Sequence, residues 1–202
     1  LVVLENNMIN IGTSDFPEIY KDLGIDIQKL GCVMLDVDCL PNDNGSDEEY
    51  GGSYWIQPRD LYYTEDKKKF WINGWVAGKS AHVTLLYGLM KKAKEWEKYI
   101  NKLLKDWSLK KVEIDHVGFF ESPYKDEPYY CIVAHIKVTP ELLEGHQRLE
   151  LLPHINTFTG YKPHMTIAYI KKDEKLRDKV IKELNDFLKG KKLEILKLNL
   201  GK

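Results

Sequence analysis

Two segments, His82-Val-Thr-Leu-Leu-Tyr87 and His164-Met-Thr-Ile-Ala-Tyr169, share one pattern: His, apolar, Thr, apolar, apolar, Tyr. No other histidine of the chain has a threonine two places on. In a β-strand successive side chains alternate between faces. His82 and Thr84 then share one face and Val83 and Leu85 the other. His164 and Thr166 are related in the same way to Met165 and Ile167. Each segment must bury its apolar residues in a core while it presents an imidazole and a hydroxyl on the far side. The same alternation puts Tyr87 and Tyr169 opposite the histidines, where core packing is the simpler use for them. Each motif strand leads into an amphipathic helix and then into further strands, so the chain reads as two similar halves facing each other.

The other elements follow from periodicity. Residues 31–37 read as a buried strand and 82–87 as the first motif strand. Leu89, Ala93, Trp96, Ile100, Leu103, Leu104 and Trp107 recur at helical spacing, with lysines on the opposite face. Residues 109–120 and 129–138 predict two long strands joined as a hairpin through a Pro-containing link. Thr139-Pro140 reads as an N-cap with Pro in the first turn, opening a helix to about Leu152. Residues 164–170 form the second motif strand. A helix follows from Asp173, ended by Gly190, and residues 193–200 alternate like a last strand. Residues 70–76 are aromatic and read as extended. Such an order, mixed α and β with antiparallel hairpins, predicts an α+β fold rather than a doubly wound one.

Residues 1–30 carry a weak pattern and are expected to be an N-terminal arm. Residues 31–202 are expected to be a single domain with an acidic, turn-rich insertion at about 38–66, either a functional lid or a disordered insertion. The chain does not begin with Met, which suggests a trimmed or longer parent chain, and its opening is not read as a signal peptide. Net charge is −1 over 202 residues, so nothing in the bulk balance demands a long nucleic acid. A small anionic ligand held by local groups stays open. Scattered lysine pairs read as solvated faces. No apolar run approaches the ~20 residues of a membrane span. Of three cysteines, Cys32 and Cys131 lie in apolar runs, which fits buried thiols in a reducing, cytoplasmic setting better than disulfides. None has zinc-site spacing.

Two imidazoles and two hydroxyls converging on one cleft suit phosphodiester chemistry. Imidazole titrates near ~6.5, so at neutral pH one ring can act as base and the other as acid. Each role is typically worth ~10²–10⁴-fold. Thr84 and Thr166 can donate to non-bridging phosphate oxygens and hold them in line. No metal or other cofactor is called for. A lone His on a strand is usually a satisfied structural residue; the duplication is what favours a site.

At His82/Thr84 and at Pro163-His164-Met-Thr-Ile-Ala168 the chain resembles the two-histidine phosphoesterase superfamily, which includes RNA cyclic phosphodiesterases of the LigT type. The resemblance extends in element order from about residue 31 to the end. It implies a bilobal α+β fold, with two antiparallel sheets flanking a central cleft and helices outside. It also implies catalytic roles for His82, Thr84, His164 and Thr166. Within the superfamily, Gly31-Cys-Val-Met-Leu-Asp together with His82-Val-Thr-Leu-Leu-Tyr-Gly looks like phage anti-CBASS nucleases, which destroy cyclic di- and trinucleotide immune signals. The arm and the acidic insertion depart from a minimal member and leave the substrate open.

Further candidates lie around the motifs. Trp71 and Trp75 precede the first; stacking on bases and ordinary core packing are both open for them. Tyr161 and Lys162 enter the second; Lys162 could contact a phosphate, while a solvated loop lysine is the more usual outcome. Tyr124, in the hairpin link, is a candidate lid aromatic. His116, His135 and His146 read as structural or surface residues, while His154 lies near the second motif. Three functions therefore compete: hydrolysis of a cyclic di- or trinucleotide, hydrolysis of RNA 2′,3′-cyclic phosphate ends, and a non-catalytic sponge for cyclic nucleotides.

Overall fold

The structure is a computed structural model that describes residues 30–38, 60, 62, 81–122, 128–155 and 160–201. Among the described residues six strands run in chain order: β1 (Gly31–Val37), β2 (Ala81–Leu89), β3 (Lys111–Glu121), β4 (Tyr129–Ile136), β5 (His164–Lys171) and β6 (Lys192–Gly201). The helices are α1 (Glu97–Leu103), entered through a 3₁₀ turn at Ala93–Trp96, α2 (Pro140–Leu149) and α3 (Glu174–Leu188). The helix expected over 89–107 is therefore split and shorter. The helix starts match the cap chemistry: Thr139 Oγ1 accepts from the Leu142 amide at 3.3 Å and Asp173 Oδ1 from the Leu176 amide at 3.0 Å.

The strands form one antiparallel sheet in the order β2-β1-β6-β3-β4-β5. This corrects the expectation of two separate sheets. The reason lies in β6, which is long enough to serve both halves. Its start pairs with β3 at Glu194↔Lys111, Leu193↔Val112 and Lys192↔Glu113, and its remainder pairs with β1 from Ile195↔Val37 to Gly201↔Cys32. The β6–β3 pairing divides the sheet into β2-β1-β6 and β3-β4-β5, and each motif strand is the outermost of its three. The two outer strands, β2 and β5, nevertheless come into contact with each other, so the sheet curls and brings its ends together.

One face of the sheet carries the core. Val33, Leu35, Val83, Leu85, Ile114, Ile132, Met165 and Ile167 are fully buried there with Leu142 and Leu149 of α2 and Val180, Leu184 and Leu188 of α3. Each such side chain contributes about 1.5–3 kcal/mol of transfer free energy. Asn185 of α3 ties that helix to β3. Its Oδ1 accepts from the Val117 amide at 2.7 Å and its Nδ2 donates to the Val117 carbonyl at 3.1 Å, close to an irregularity between Ile114 and His116. The opposite face of the sheet carries the motif histidines.

Candidate active site

On β2, His82 lies opposite Asp36 and Thr84 opposite Met34. The register then slips, so that Val33 faces Leu86 and Cys32 faces Tyr87. Leu85 is the extra residue of a bulge. His82, Thr84 and Tyr87 are partly exposed, while Val83, Leu85 and Leu86 are buried. β5 repeats this. His164 lies opposite His135, Thr166 opposite Val133 and Tyr169 opposite Cys131, with a slip that leaves Ile167 extra. Here Met165, Ile167 and Ala168 are buried. Strict alternation placed Tyr87 and Tyr169 in the core. The bulge in each strand instead turns them onto the histidine face, which corrects their placement, although Tyr169 still packs there against the small cluster of Tyr129, Cys131 and Val133.

The second motif is closely held. His164 Nδ1 lies 2.9 Å from the Lys162 carbonyl. A carbonyl only accepts, so Nδ1 carries the hydrogen and Nε2 of the neutral ring keeps its lone pair. Phe120 presents its ring edge-on to His164 at 4.9 Å and to His135 at 5.6 Å, and His135 stacks on His116 at 4.5 Å. Gly118 leaves room for this row, since a Cβ there would stand 2.9 Å from His135 Nε2. His116 Nδ1 is 2.7 Å from Asp115 Oδ2. Burial pushes the Cys131 thiol up to about 11, against hydrogen bonds with Thr166 and Tyr169 that pull it down. That sulfur is a neutral neighbour of the motif, not a nucleophile.

The connection into β5 fastens the two motifs together. The Ile155 amide donates to the Gly88 carbonyl at 2.8 Å. Tyr161 donates its hydroxyl to the Thr84 carbonyl at 3.1 Å, and its ring stacks on His146 at 3.9 Å and 7°. His146 Nδ1 in turn lies 2.7 Å from the Leu85 carbonyl. Burial raises the Tyr161 phenol well above its usual range, so it stays protonated as a donor.

Both motif imidazoles lie below their ordinary titration range. For His82 the cause is burial, opposed by the Asp36 carboxylate. For His164 the cause is burial, opposed by the bond to the Lys162 carbonyl and reinforced by the charge of His82. The two rings thus feel each other across the junction of β2 and β5. Asp36 is buried at 6 % exposure and is held by Asn199 Nδ2 at 2.9 and 3.2 Å, with Lys197 Nζ at 3.6 Å.

Of the candidates read from sequence, His82, Thr84, His164 and Thr166 stand on adjoining strands of one face. Tyr161 lies against the first motif from beneath, and Lys162 is exposed, with its carbonyl turned to His164. Trp71, Trp75 and Tyr124, the arm and most of the acidic insertion lie outside the described residues. Asp36 and His135 were not picked out from sequence, although a signal existed: Cys32-Val-Met-Leu-Asp-Val37 and Cys131-Ile-Val-Ala-His-Ile136 are a second internal repeat, one strand inward from the first. Among the described residues no group of three or more His, Cys, Asp or Glu side chains is arranged to hold a metal ion, and no helix is long and apolar enough to cross a membrane.

A pseudo-repeated antiparallel sheet with a His-x-Thr strand at each end, folded so that the two ends meet, defines a two-histidine phosphoesterase fold. The family model of the 2′-5′ RNA ligase superfamily matches residues 63–202, and the chain belongs to this LigT-like superfamily of two-histidine phosphodiesterases. No curated protein sequence matches it. Among solved structures it is similar to Kluyveromyces marxianus Usb1, with 13% identity and a TM-score of 0.53 over 86% of this chain and 94% of that one. The same protein with uridine monophosphate gives 14% and 0.52 over 87% and 95%. At such identity the likeness speaks for the fold.

Proposed function

We propose that the protein is a metal-independent phosphodiesterase in which His82 and His164 are the acid–base pair and Thr84 and Thr166 hold the phosphate. The observation that carries this reading is the meeting of β2 and β5, which sets the two His-x-Thr motifs on adjoining strands of one face. One imidazole takes the proton of the attacking oxygen as the new P–O bond forms. The other gives a proton to the leaving oxygen as the old bond breaks. The pair ends with the same number of protons it began with. Two threonine hydroxyls suit the two non-bridging oxygens, each a charge-assisted acceptor.

For substrate we propose a cyclic di- or trinucleotide, and for setting phage evasion of CBASS immunity in the host cytoplasm. The motif strand His82-Val-Thr-Leu-Leu-Tyr-Gly88 and its neighbour Gly31–Asp36 support this; they pair along their length. A second reading, hydrolysis of RNA 2′,3′-cyclic phosphate ends, is favoured by the likeness to Usb1 with uridine monophosphate. The test is chromatography of products from a panel of cyclic dinucleotides, cyclic trinucleotides and RNA with cyclic phosphate ends, in excess chelator. Cleavage of the cyclic oligonucleotides, lost in His82→Ala and in His164→Ala, is expected. Cleavage of RNA ends alone selects the second reading. Tight binding without cleavage, surviving His82→Ala, identifies a sponge instead, and loss of turnover in chelator rejects the metal-free chemistry.

A further inference from the structure

The two motifs are alike, yet their cross-strand partners are not. At equivalent positions one strand inward, His82 faces a carboxylate and His164 faces another imidazole: Asp36↔His82 and His135↔His164. Directly opposed residues on one face of an antiparallel pair are close enough to interact. We infer that Asp36 and His135 are positioning residues that divide the labour between the motifs, Asp36 making His82 the proton donor and His135 making His164 the proton acceptor. This rests on the phosphodiesterase reading for its catalytic meaning, though not for its test.

Three observations carry it. First, Asp36 is a built feature. It is buried, and it is gripped by Asn199 through both oxygens and approached by Lys197. A buried carboxylate is retained only where it is well partnered, and its negative charge favours the imidazolium of His82. Second, no carboxylate takes the equivalent place beside His164. Among the described residues, the titratable groups around that ring are His135 on β4, His116 with its partner Asp115 on β3, Lys162 on the entering loop and His82 on β2. The single acid of this set, Asp115, is engaged with His116 at the far end of the row. Burial, then the charges of His116 and His164, hold His135 down to about 4, so it stands as a neutral ring that shields His164 without offering it a counter-charge. Third, the Lys162 carbonyl fixes the His164 hydrogen on Nδ1, which is the tautomer a base needs at Nε2. The same carbonyl steadies the imidazolium once the proton has been taken.

In the resulting cycle His164 Nε2 accepts the proton of the attacking hydroxyl or water while His82 releases its proton to the leaving oxygen. The P–O bond to the attacking oxygen forms as the bond to the leaving oxygen breaks. Exchange with solvent then returns a proton to His82 and takes one from His164, which restores the starting state.

The test is a site-resolved NMR titration of the ring nitrogens in histidine-labelled full chain, which needs no substrate. His82 is expected to titrate above His164. Asp36→Asn, nearly isosteric, is expected to lower the His82 midpoint by about one pH unit or more and leave that of His164 nearly in place. Asn199→Ala, which loosens the carboxylate without removing it, is expected to shift His82 in the same direction by less. His135→Asp, which copies the first half onto the second, is expected to raise the His164 midpoint by about one unit. The inference is overturned if His164 titrates above His82 in the unaltered chain, or if Asp36→Asn leaves His82 unmoved in a protein that still folds. If these titrations behave as expected while the chain cleaves no phosphodiester, the division between the rings stands and the phosphodiesterase reading is what fails.

Discussion

The hydroxyl of Tyr161 donates to the backbone carbonyl of Thr84 across a 3.1 Å contact, so the loop that delivers the second motif is fastened to the strand that bears the first. The bond reaches the main chain of Thr84, not its hydroxyl. It therefore sets where the threonine stands without competing for its donor. Tyr161→Phe removes one neutral hydrogen bond, worth about 0.5–1.5 kcal/mol net. The expected result is a fall in kcat/KM of roughly two- to tenfold, with a melting temperature lower by about 1–6 °C. Tyr161→Ala also removes the partner on which His146 stacks and should cost stability as well, which thermal melts of the two variants would separate.

Thr84 and Thr166 share shape with valine, and valine suits a strand at least as well. Thr84→Val and Thr166→Val should therefore fold normally while each deletes a hydroxyl that the proposed function assigns to an anionic phosphate oxygen. A hydrogen bond to a charged group is worth about 1.5–3 kcal/mol, so kcat/KM should drop roughly ten- to a hundredfold in each. Thr→Ser at either position restores the hydroxyl and should recover most of the loss. Steady-state kinetics on the four variants decide the matter; an active Val variant at both sites would remove the threonines from the chemistry.

His135 makes stability depend on pH. Its folded-state proton affinity is pushed down, first by burial and then by His116 and His164, to about 4, against an ordinary ~6.5. Between these values the unfolded chain binds a proton that the folded chain refuses. Stability is then complete above about 6.5, falls as the pH drops through the window and levels near 4. The ring is only partly buried, so solvent screening makes the slope shallower than one full proton would give. His135→Asn should flatten the acid side of a plot of urea midpoint against pH. Unchanged slopes between wild type and variant would show that His135 takes its proton as easily folded as unfolded.

The legible part of this fold was whatever period and composition control. The strand at Gly31–Val37 and the caps at Thr139 and Asp173 follow from local chemistry, and they stand where the sequence puts them. The motif residues were legible because two copies of an improbable spacing are informative. The side-chain direction of Tyr87 and Tyr169 was not, because a bulge adds a residue without leaving a mark in an apolar pair such as Leu85-Leu86 or Ile167-Ala168. The single sheet was hidden for a different reason. Whether a strand such as β6 pairs with one neighbour or bridges two depends on partners more than 70 residues away. Asp36 and His135 do not read as site residues from sequence (His135 reads as structural or surface) because each looks like an ordinary strand residue until register sets it opposite a motif histidine.

Gly88 offers a test of how far the site depends on the connection into β5. It has a φ of +94°, and its carbonyl accepts the Ile155 amide at 2.8 Å. A Cβ at this position would overlap the carbonyl oxygen of Ile155, which is backbone and cannot swing aside. Gly88→Ala therefore carries both backbone strain, about 1–3 kcal/mol, and a displacement of the segment that leads to Tyr161 and His164. Gly190, at φ +79° after α3, has open space where a Cβ would stand. Gly190→Ala bears the backbone strain alone. Both variants should melt earlier than wild type, Gly88→Ala by more. Only Gly88→Ala should lose kcat/KM beyond what its folded fraction explains, because only there does the added carbon press on the chain that sets one motif against the other. Equal losses of activity in the two, measured well below both melting temperatures, would show that the Gly88–Ile155 contact supports the fold and not the geometry of the site.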